Sequence, residues 1–363
     1  MKKPILLTLM ALVATVALIG TNEFFLTRSV VADYPPTTIE LLDDSEEPIT
    51  EYLISLSSTQ EQETDLPDTP GSDGVDPPLN PPEADLPEAE SQTDPNDATD
   101  SAQSQQAQEK QEILVAYYGH PNSRFMGIVG RHSLPELVEL VTATAQSYQE
   151  LLPDYRVIPA IYLIYGTVQP EGRIGFMSDA MVNRYIDYAR EHGVHIILDH
   201  QIGRYTLQQT MDRLLPYLVH PHVHLAVDFE WRTERPMREI GFVLGEELTW
   251  MQQYMSDFLV RNNLPNTRFL IFHQFKSHMV RNRPAIQVGF PQVELVHSTS
   301  GWGSPEEKRS THAYNATVTQ IPTKAFKLWY FYSDRPGIHF DNPLMTHQEV
   351  VDLIPRPRII MYQ

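Results

Sequence analysis

Residues 223–231 read Val-His-Leu-Ala-Val-Asp-Phe-Glu-Trp, and this stretch decides the fold. Apolar side chains stand at every second position from Val223 to Phe229, while the positions between them carry His, Ala and Asp. A period of two residues is that of a β-strand, whose successive side chains point to opposite faces. We therefore predict a strand over Val223–Phe229 that packs its apolar face against helices and carries Asp228 and Glu230 on the other face.

Short β-rich apolar runs of the same kind alternate with helical stretches throughout residues 113–363. The predicted strands are Ile113–Tyr118, Val157–Tyr165, Val194–Asp199, Val223–Phe229, Arg268–Gln274, Val293–Thr299, Ala325–Phe331 and Arg358–Tyr362. The predicted helices are Leu134–Leu152, Asp179–Glu191, Leu207–Leu218, Gly245–Asn262 and His347–Leu353, with Ser133 and Ser178 as N-caps. Eight strands in about 250 residues favour an α/β fold of the (β/α)8 TIM-barrel type. The alternative is an open doubly wound sheet, but no Gly-rich phosphate loop follows a predicted strand.

Residues 1–32 have the pattern of an export signal. Lys2 and Lys3 precede an apolar run from Pro4 to Gly20 that contains no charge. The run is about the minimum length of a membrane span, and Val30-Val31-Ala32 offers a distant cleavage site, so a signal peptide and a retained anchor are both open. Either predicts an extracytoplasmic protein, secreted or held to the membrane by this segment.

Residues 33–112 have the composition of a disordered linker. They hold eleven prolines and 22 of the chain's 47 acidic residues, with Lys110 as the only basic one, so this segment has a net charge of −21 and accounts for the chain's formal charge of −20. Such a segment cannot bury enough apolar surface to form a core, and its charges keep it extended. The remaining domain is nearly neutral without a basic run, which argues against a nucleic-acid partner. The absence of cysteine excludes disulfides and thiolate chemistry.

Polar and aromatic residues cluster where the predicted strands end. In a (β/α)8 barrel, those ends form the active-site face. Carboxylates for proton transfer, aromatic rings for stacking and amides for hydroxyl contacts are what a sugar site requires. The predicted catalytic residues are Glu230, Asp228 and Asp199. The predicted substrate-binding residues are Tyr117, Tyr118, His120, Tyr165, His273, Gln274, Trp302 and Tyr330.

Asp228 and Glu230 are the central pair of this hypothesis. Two residues apart on one strand face, they would lie about 7 Å apart along the strand, close enough to repel. Repulsion and partial burial raise the pKa of one carboxyl group, which can then act as a general acid near neutral pH. We expect Glu230 to be that acid. Asp199 would lie across the mouth of the barrel, the opening at the carboxyl ends of its strands, and act as a nucleophile or base.

The segment Leu225–Trp231, which ends in Asp-Phe-Glu-Trp, resembles the strand-four Asp-x-Glu of chitinase-like family 18 and muramidase-like family 25 glycoside hydrolases. Both families are (β/α)8 barrels. The resemblance to the first implies Glu230 as proton donor and Asp228 as the group that orients a substrate acetamido group acting as internal nucleophile. The expected partner is a polysaccharide or glycan of the cell envelope, with no cofactor and no metal.

Two other functions are open at this point. The barrel could be a surface glycan-binding or scaffold module without turnover. It could also be a metal-assisted hydrolase in which His120, His273 or His297 joins Asp199 or Asp228 at a divalent ion. The His220-x-His222-x-His224 motif lies at the start of its strand, the end of the barrel associated with stability, and is expected to hold buried or loop histidines.

Overall fold

Eight parallel strands close into a barrel in the computed structural model, which describes residues 110–335 and 339–363. The strands are β1 (Glu112–Gly119), β2 (Arg156–Val168), β3 (Ile174–Phe176), β4 (His195–Gln201), β5 (Val223–Asp228), β6 (Val243–Leu244), β7 (Arg268–Gln274), β8 (Val280–Arg281), β9 (Val293–Thr299), β10 (Lys324–Leu328) and β11 (Ile359–Tyr362). The barrel order is β1-β11-β10-β9-β7-β5-β4-β2, and β1 pairs with β2 to close it. Strand β3 adds antiparallel to β2, and β6 pairs with β8 apart from the barrel. The predicted (β/α)8 architecture is confirmed.

Helices follow most barrel strands and cover the outside of the barrel. They are α1 (Leu134–Leu151), α2 (Asp179–Glu191), α3 (Leu207–Leu214), α4 (Gly245–Arg261), α5 (Pro305–Ala316) and α6 (His347–Val351). The sequence reasoning missed α5, because its buried positions are the polar residues Lys308, His312 and Asn315 and give no apolar stripe. Its start was visible as the capping box that Ser304 forms with Glu307. Ser178 caps α2 as predicted, whereas Ser133 occupies its N-cap position without a side-chain hydrogen bond.

Two strands end earlier than predicted, and side-chain hydrogen bonds explain both ends. The strand predicted to run to Phe229 ends at Asp228, because the Asp228 side chain accepts a hydrogen bond from the Glu230 amide and turns the chain into a short 3-10 helix. The strand predicted to run to Phe331 ends at Leu328, where the Trp329 amide donates to the Asp341 carboxylate instead of a neighbouring strand. In both places a carboxylate oxygen accepts the backbone N–H hydrogen bond that a carbonyl oxygen of the neighbouring strand would otherwise accept.

The core divides into two layers that follow the alternation of the strands. Inward-facing residues such as Ala116, Tyr162 and Ala226 fill the barrel interior. Outward-facing residues such as Val223 and Leu225 join the helices in a larger second cluster. The predicted division of β5 into an apolar outer face and a mixed inner face is therefore confirmed, and it turns Asp228 toward the axis of the barrel.

The predicted signal or anchor over residues 1–32 lies outside the described residues, as does the predicted linker over 33–112 except for its last three residues. Within the ranges 110–335 and 339–363, no helix combines the length and the apolar composition needed to cross a membrane.

Candidate active site at the carboxyl end of the barrel

Asp228 and Glu230 lie at the carboxyl end of β5, but only Asp228 belongs to the strand. Asp228 is 6% exposed, and its Oδ1 accepts a hydrogen bond of 3.2 Å from the Glu230 amide. Glu230 follows in the 3-10 turn Phe229–Trp231 and keeps partial exposure. The predicted spacing along a continued strand therefore does not hold, because the turn brings Glu230 onto the rim of the barrel directly after Asp228.

The backbone of Gly241 packs against this turn. Its amide donates a hydrogen bond of 2.8 Å to the Glu230 carbonyl oxygen. A Cβ atom at residue 241 would lie 2.3 Å from the carbonyl oxygen of Phe229, closer than any side chain tolerates. The close approach of the two backbone segments thus requires glycine, and it fixes the position of Glu230 relative to β5.

Burial gives Glu230 the proton affinity of a general acid. Desolvation, assisted by the negative charge of Asp228, raises the pKa of Glu230 to about 8, against the opposing charge of Lys327. The pKa of Asp228 is also raised by burial, while His273 and Lys327 lower it and Asp199 raises it. The residue Glu230 is partly exposed overall, but its carboxyl group sits among protein atoms dense enough for desolvation to dominate.

Asp199 joins Asp228 inside the barrel from the neighbouring strand. It is fully buried on β4, opposite Ala226 in the β4–β5 register. Its Oδ2 accepts a hydrogen bond of 3.0 Å from the Tyr118 hydroxyl and lies 3.4 Å from His273 Nε2, whereas its Oδ1 has no partner. Tyr118 and His273 therefore orient one carboxylate oxygen and leave the other available to a ligand.

Lys327 and Tyr162 complete the mouth, and the sequence reasoning missed both. The Tyr162 hydroxyl lies 3.0 Å from His273 Nε2. The Lys327 ammonium lies 3.6 Å from the centroid of the Tyr118 ring. The available signal was the strand alternation, since Lys327 stands two residues after the inward-facing Ala325.

Four of the predicted substrate-binding residues point away from the mouth, three of them from outward positions of their strands and one from the segment just after β10. The four are Tyr117, Tyr165, Gln274 and Tyr330. The Tyr117 hydroxyl is 2.7 Å from Thr144 Oγ1 in α1, and Tyr165 packs in the outer core. The Gln274 side chain bonds His297, and Tyr330 stacks on Tyr362 with ring centroids 5.3 Å apart.

The other predicted contacts lie on the mouth side of the barrel at different depths. Tyr118 and His273 belong to the central cluster. His120 is buried in the loop after β1, where desolvation lowers its pKa to about 4 and its Nδ1 accepts from the Asn122 amide. Trp302 is partly exposed in the loop after β9, with its ring 5.3 Å from that of His339.

Three of these side chains could also hold a metal ion. One donor atom from each of Asp199, Asp228 and His273 lies within 4.8 Å of the others. Two carboxylates and an imidazole suit several divalent cations. His297, which the metal hypothesis also named, stacks on Phe272 on the outer side of the barrel and does not belong to this group.

The histidines at the opposite end of the barrel are engaged within the protein, as the sequence motif led us to expect. His224 Nε2 lies 3.0 Å from His195 Nδ1, and His224 Nδ1 accepts from the Phe269 amide. His222 Nε2 lies 2.9 Å from the Ile186 carbonyl oxygen. These contacts engage His222 and His224 of the His-x-His-x-His motif within the protein.

The eight parallel strands thus form a closed (β/α)8 barrel with buried carboxylates at its carboxyl end. No family model matches the chain, and no curated protein sequence matches it. Similar solved structures include an endo-β-1,4-glucanase from Xanthomonas axonopodis pv. citri at 10% identity and a TM-score of 0.39, covering 70% of this chain and 88% of that one. A GH18 chitinase from Flavobacterium johnsoniae has 10% identity and a TM-score of 0.37, with coverages of 70% and 88%. A chitinase from Chromobacterium violaceum has 11% identity and a TM-score of 0.32, with coverages of 60% and 68%.

Proposed function

We propose that this protein hydrolyses a glycosidic bond in a cell-envelope or extracellular glycan, with Glu230 as the general acid. The observation that carries the proposal is the placement of Glu230 beside Asp228 on the barrel rim, where burial and a neighbouring negative charge favour its protonated form. A carboxylic acid that stays protonated near neutral pH can donate to the departing glycosidic oxygen.

Asp228 and Asp199 supply the negative charge that this chemistry needs opposite the acid. Burial raises the pKa of Asp228, and His273 and Lys327 oppose that shift and so favour its ionised form. The ionised carboxylate can orient a substrate group or stabilise the positive charge that develops on the sugar ring. Asp199 is held by Tyr118 through one oxygen and offers the other to the substrate or to a water molecule.

We extend the proposal to the cellular location of the protein, using residues 1–112 of the sequence. Residues 1–32 direct export and serve either as a cleaved signal peptide or as a retained anchor, because a basic start precedes an uncharged apolar run. Residues 33–112 act as an acidic, proline-rich tether that lets the barrel reach a polymer at a distance. Glycans outside the cytoplasm are the matching substrates.

The test measures reducing ends released from a panel of envelope glycans by the full chain. Glu230→Gln removes the acid with little change in shape, and Glu139→Gln, on the exposed face of α1, is the matched control. Release by the wild type and the control, and its loss in Glu230→Gln, would support the proposal. No release from any glycan, or undiminished release by Glu230→Gln, would refute it.

A metal-assisted hydrolase is the second candidate, favoured by the grouping of Asp199, Asp228 and His273. In that case the cation would balance the two buried carboxylates and activate a water molecule. The ammonium of Lys327 already brings positive charge to the same mouth, and we therefore prefer the metal-free reaction. Release that a chelator abolishes and added divalent cation restores would reverse this preference.

A further inference from the structure

Three lysines are almost completely buried in this domain, and two of them are fully engaged. Lys308 donates to the carbonyl oxygens of Gly301 and Lys327 at 2.8 and 2.6 Å and pairs with Asp341 at 3.0 Å. Lys324 donates to the carbonyl oxygens of Asn315 and Val318 at 3.0 and 3.1 Å. Lys324 belongs to β10 and Lys308 to α5, and the hydrogen bonds of both stabilise the packing of helix α5 and its flanking loop against the barrel.

Lys327 differs from both. It is 5% exposed, yet within residues 110–335 and 339–363 its ammonium forms neither a hydrogen bond nor an ion pair. Its contacts are the ring faces of Tyr118 at 3.6 Å and Trp329 at 4.5 Å. Strand β10 directs it into the barrel, at the level of the carboxylates. A structural lysine would have acceptors, so this geometry leaves the amine available to a ligand.

Burial also increases the fraction of Lys327 that is present as the neutral amine, while the ammonium remains the major form near pH 7. Burial lowers its pKa to about 8, while Asp228, Asp199 and Glu230 oppose the shift and Arg335 adds to it. Compared with the ordinary lysine pKa of 10.5, this corresponds to roughly 300-fold more free amine near pH 7. Lysines desolvated in this manner serve as amine nucleophiles.

We propose that Lys327 is a nucleophilic amine that condenses reversibly with the aldehyde of a neutral hydroxyaldehyde, such as an open-chain sugar. The carboxylates of Asp199 and Asp228 disfavour anionic carbonyl compounds such as keto acids. The ring faces of Tyr118 and Trp329 suit the C–H surface of a sugar. This activity goes beyond glycoside hydrolysis and does not depend on it.

The condensation balances without a redox partner. The Lys327 Nζ lone pair attacks the carbonyl carbon, the carbonyl oxygen takes a proton, and the nitrogen loses one to give a carbinolamine. Protonation of its hydroxyl then expels one water molecule as the C=N bond of the imine forms. The carboxyl groups at the mouth can exchange these protons, and added water reverses the reaction.

The experiment traps the imine on the full chain. The protein is incubated briefly with glyceraldehyde at pH 7.5, reduced with sodium borohydride and mapped by peptide mass spectrometry. Lys327 should carry at least tenfold more adduct than Lys308 and Lys324, and should saturate at a lower aldehyde concentration than the more exposed Lys276. The buried lysines within one molecule are the matched controls, so no variant has to fold.

A variant and a second carbonyl compound test the assignment of the adduct to Lys327. Lys327→Arg keeps the positive charge and should abolish the saturable adduct, and pyruvate should label Lys327 less than glyceraldehyde does. Adducts confined to exposed lysines, or equal at the three buried ones, would overturn the proposal. Stronger labelling by pyruvate would overturn the assignment to neutral aldehydes. Labelling by Glu230→Gln protein that releases no glycan would show that the two proposals are independent.

Discussion

The two ends of the barrel both contain buried polar side chains, but they satisfy them differently. At the amino end, His195 and His224 bond each other and His224 also accepts a backbone amide. At the carboxyl end, Asp199 Oδ1 and His273 Nδ1 have no partner. Buried polar groups are normally satisfied, so the paired histidines stabilise the fold, whereas the unpaired atoms of Asp199 and His273 are free to contact a ligand. The predictions below test that contrast.

Substitution of Glu230 should have the largest effect. Loss of the general acid in Glu230→Gln should lower the rate of glycan release by about 10²- to 10⁴-fold, because proton donation to the leaving group contributes that much. The free energy of unfolding should stay within about 1 kcal/mol of the wild-type value, since a protonated carboxyl is replaced by an amide of similar shape. Parallel release assays and urea titrations measure both. A threefold decrease would place Glu230 outside the reaction.

The pH profile should report the same carboxyl group. Because Glu230 must be protonated and burial raises its pKa to about 8, kcat/KM should fall about tenfold per pH unit above that value. The charge of Lys327 lowers the pKa of Glu230, so Lys327→Met should move the falling limb to higher pH. Disappearance of the limb in that variant would assign it to Lys327, whose pKa is also about 8.

Substitution at the amino end should affect stability and spare the chemistry. His224→Ala removes the partners of His195 Nδ1 and of the Phe269 amide, and should cost about 1–3 kcal/mol of unfolding free energy. The rate per folded molecule should be unchanged. Urea unfolding and release assays at matched folded concentrations separate the two quantities. A large loss of activity in a folded variant would contradict the division between the two ends.

Removal of divalent cations should have the smallest effect. If Lys327 balances the carboxylates of the mouth, prolonged dialysis against a chelator should change glycan release by less than about twofold. Unfolding free energy should not change either. A stabilisation by added cation that Asp199→Asn abolishes would instead establish the three-donor metal site.

The face of the strand on which a residue lies predicts whether it belongs to the site better than its position at the end of the strand does. In Tyr117-Tyr118 the two rings are adjacent in sequence, yet Tyr118 reaches Asp199 and Tyr117 bonds a helix. Gln274 and Tyr330 were assigned to the mouth for the same positional reason and lie on the outer side. Lys327 lies in an apolar strand, and the alternation from the inward-facing Ala325 is the sequence signal that its side chain enters the barrel. Applying the period of two to every strand would have corrected all of these assignments.

The eight strands, the barrel they form and the inward direction of Asp228 can be predicted from the sequence, because alternation and segment length are local properties of the chain. The folded barrel was needed to show that Glu230 turns onto the rim, that Tyr118 and His273 hold one oxygen of Asp199, and that Lys327 lies against Tyr118 without an acceptor. The contacts of Tyr118 and His273 with Asp199, and of Lys327 with Tyr118, join residues more than 70 positions apart in the chain, and they depend on the register in which neighbouring strands pair. Register and side-chain packing are properties of the closed barrel, so no single segment encodes them.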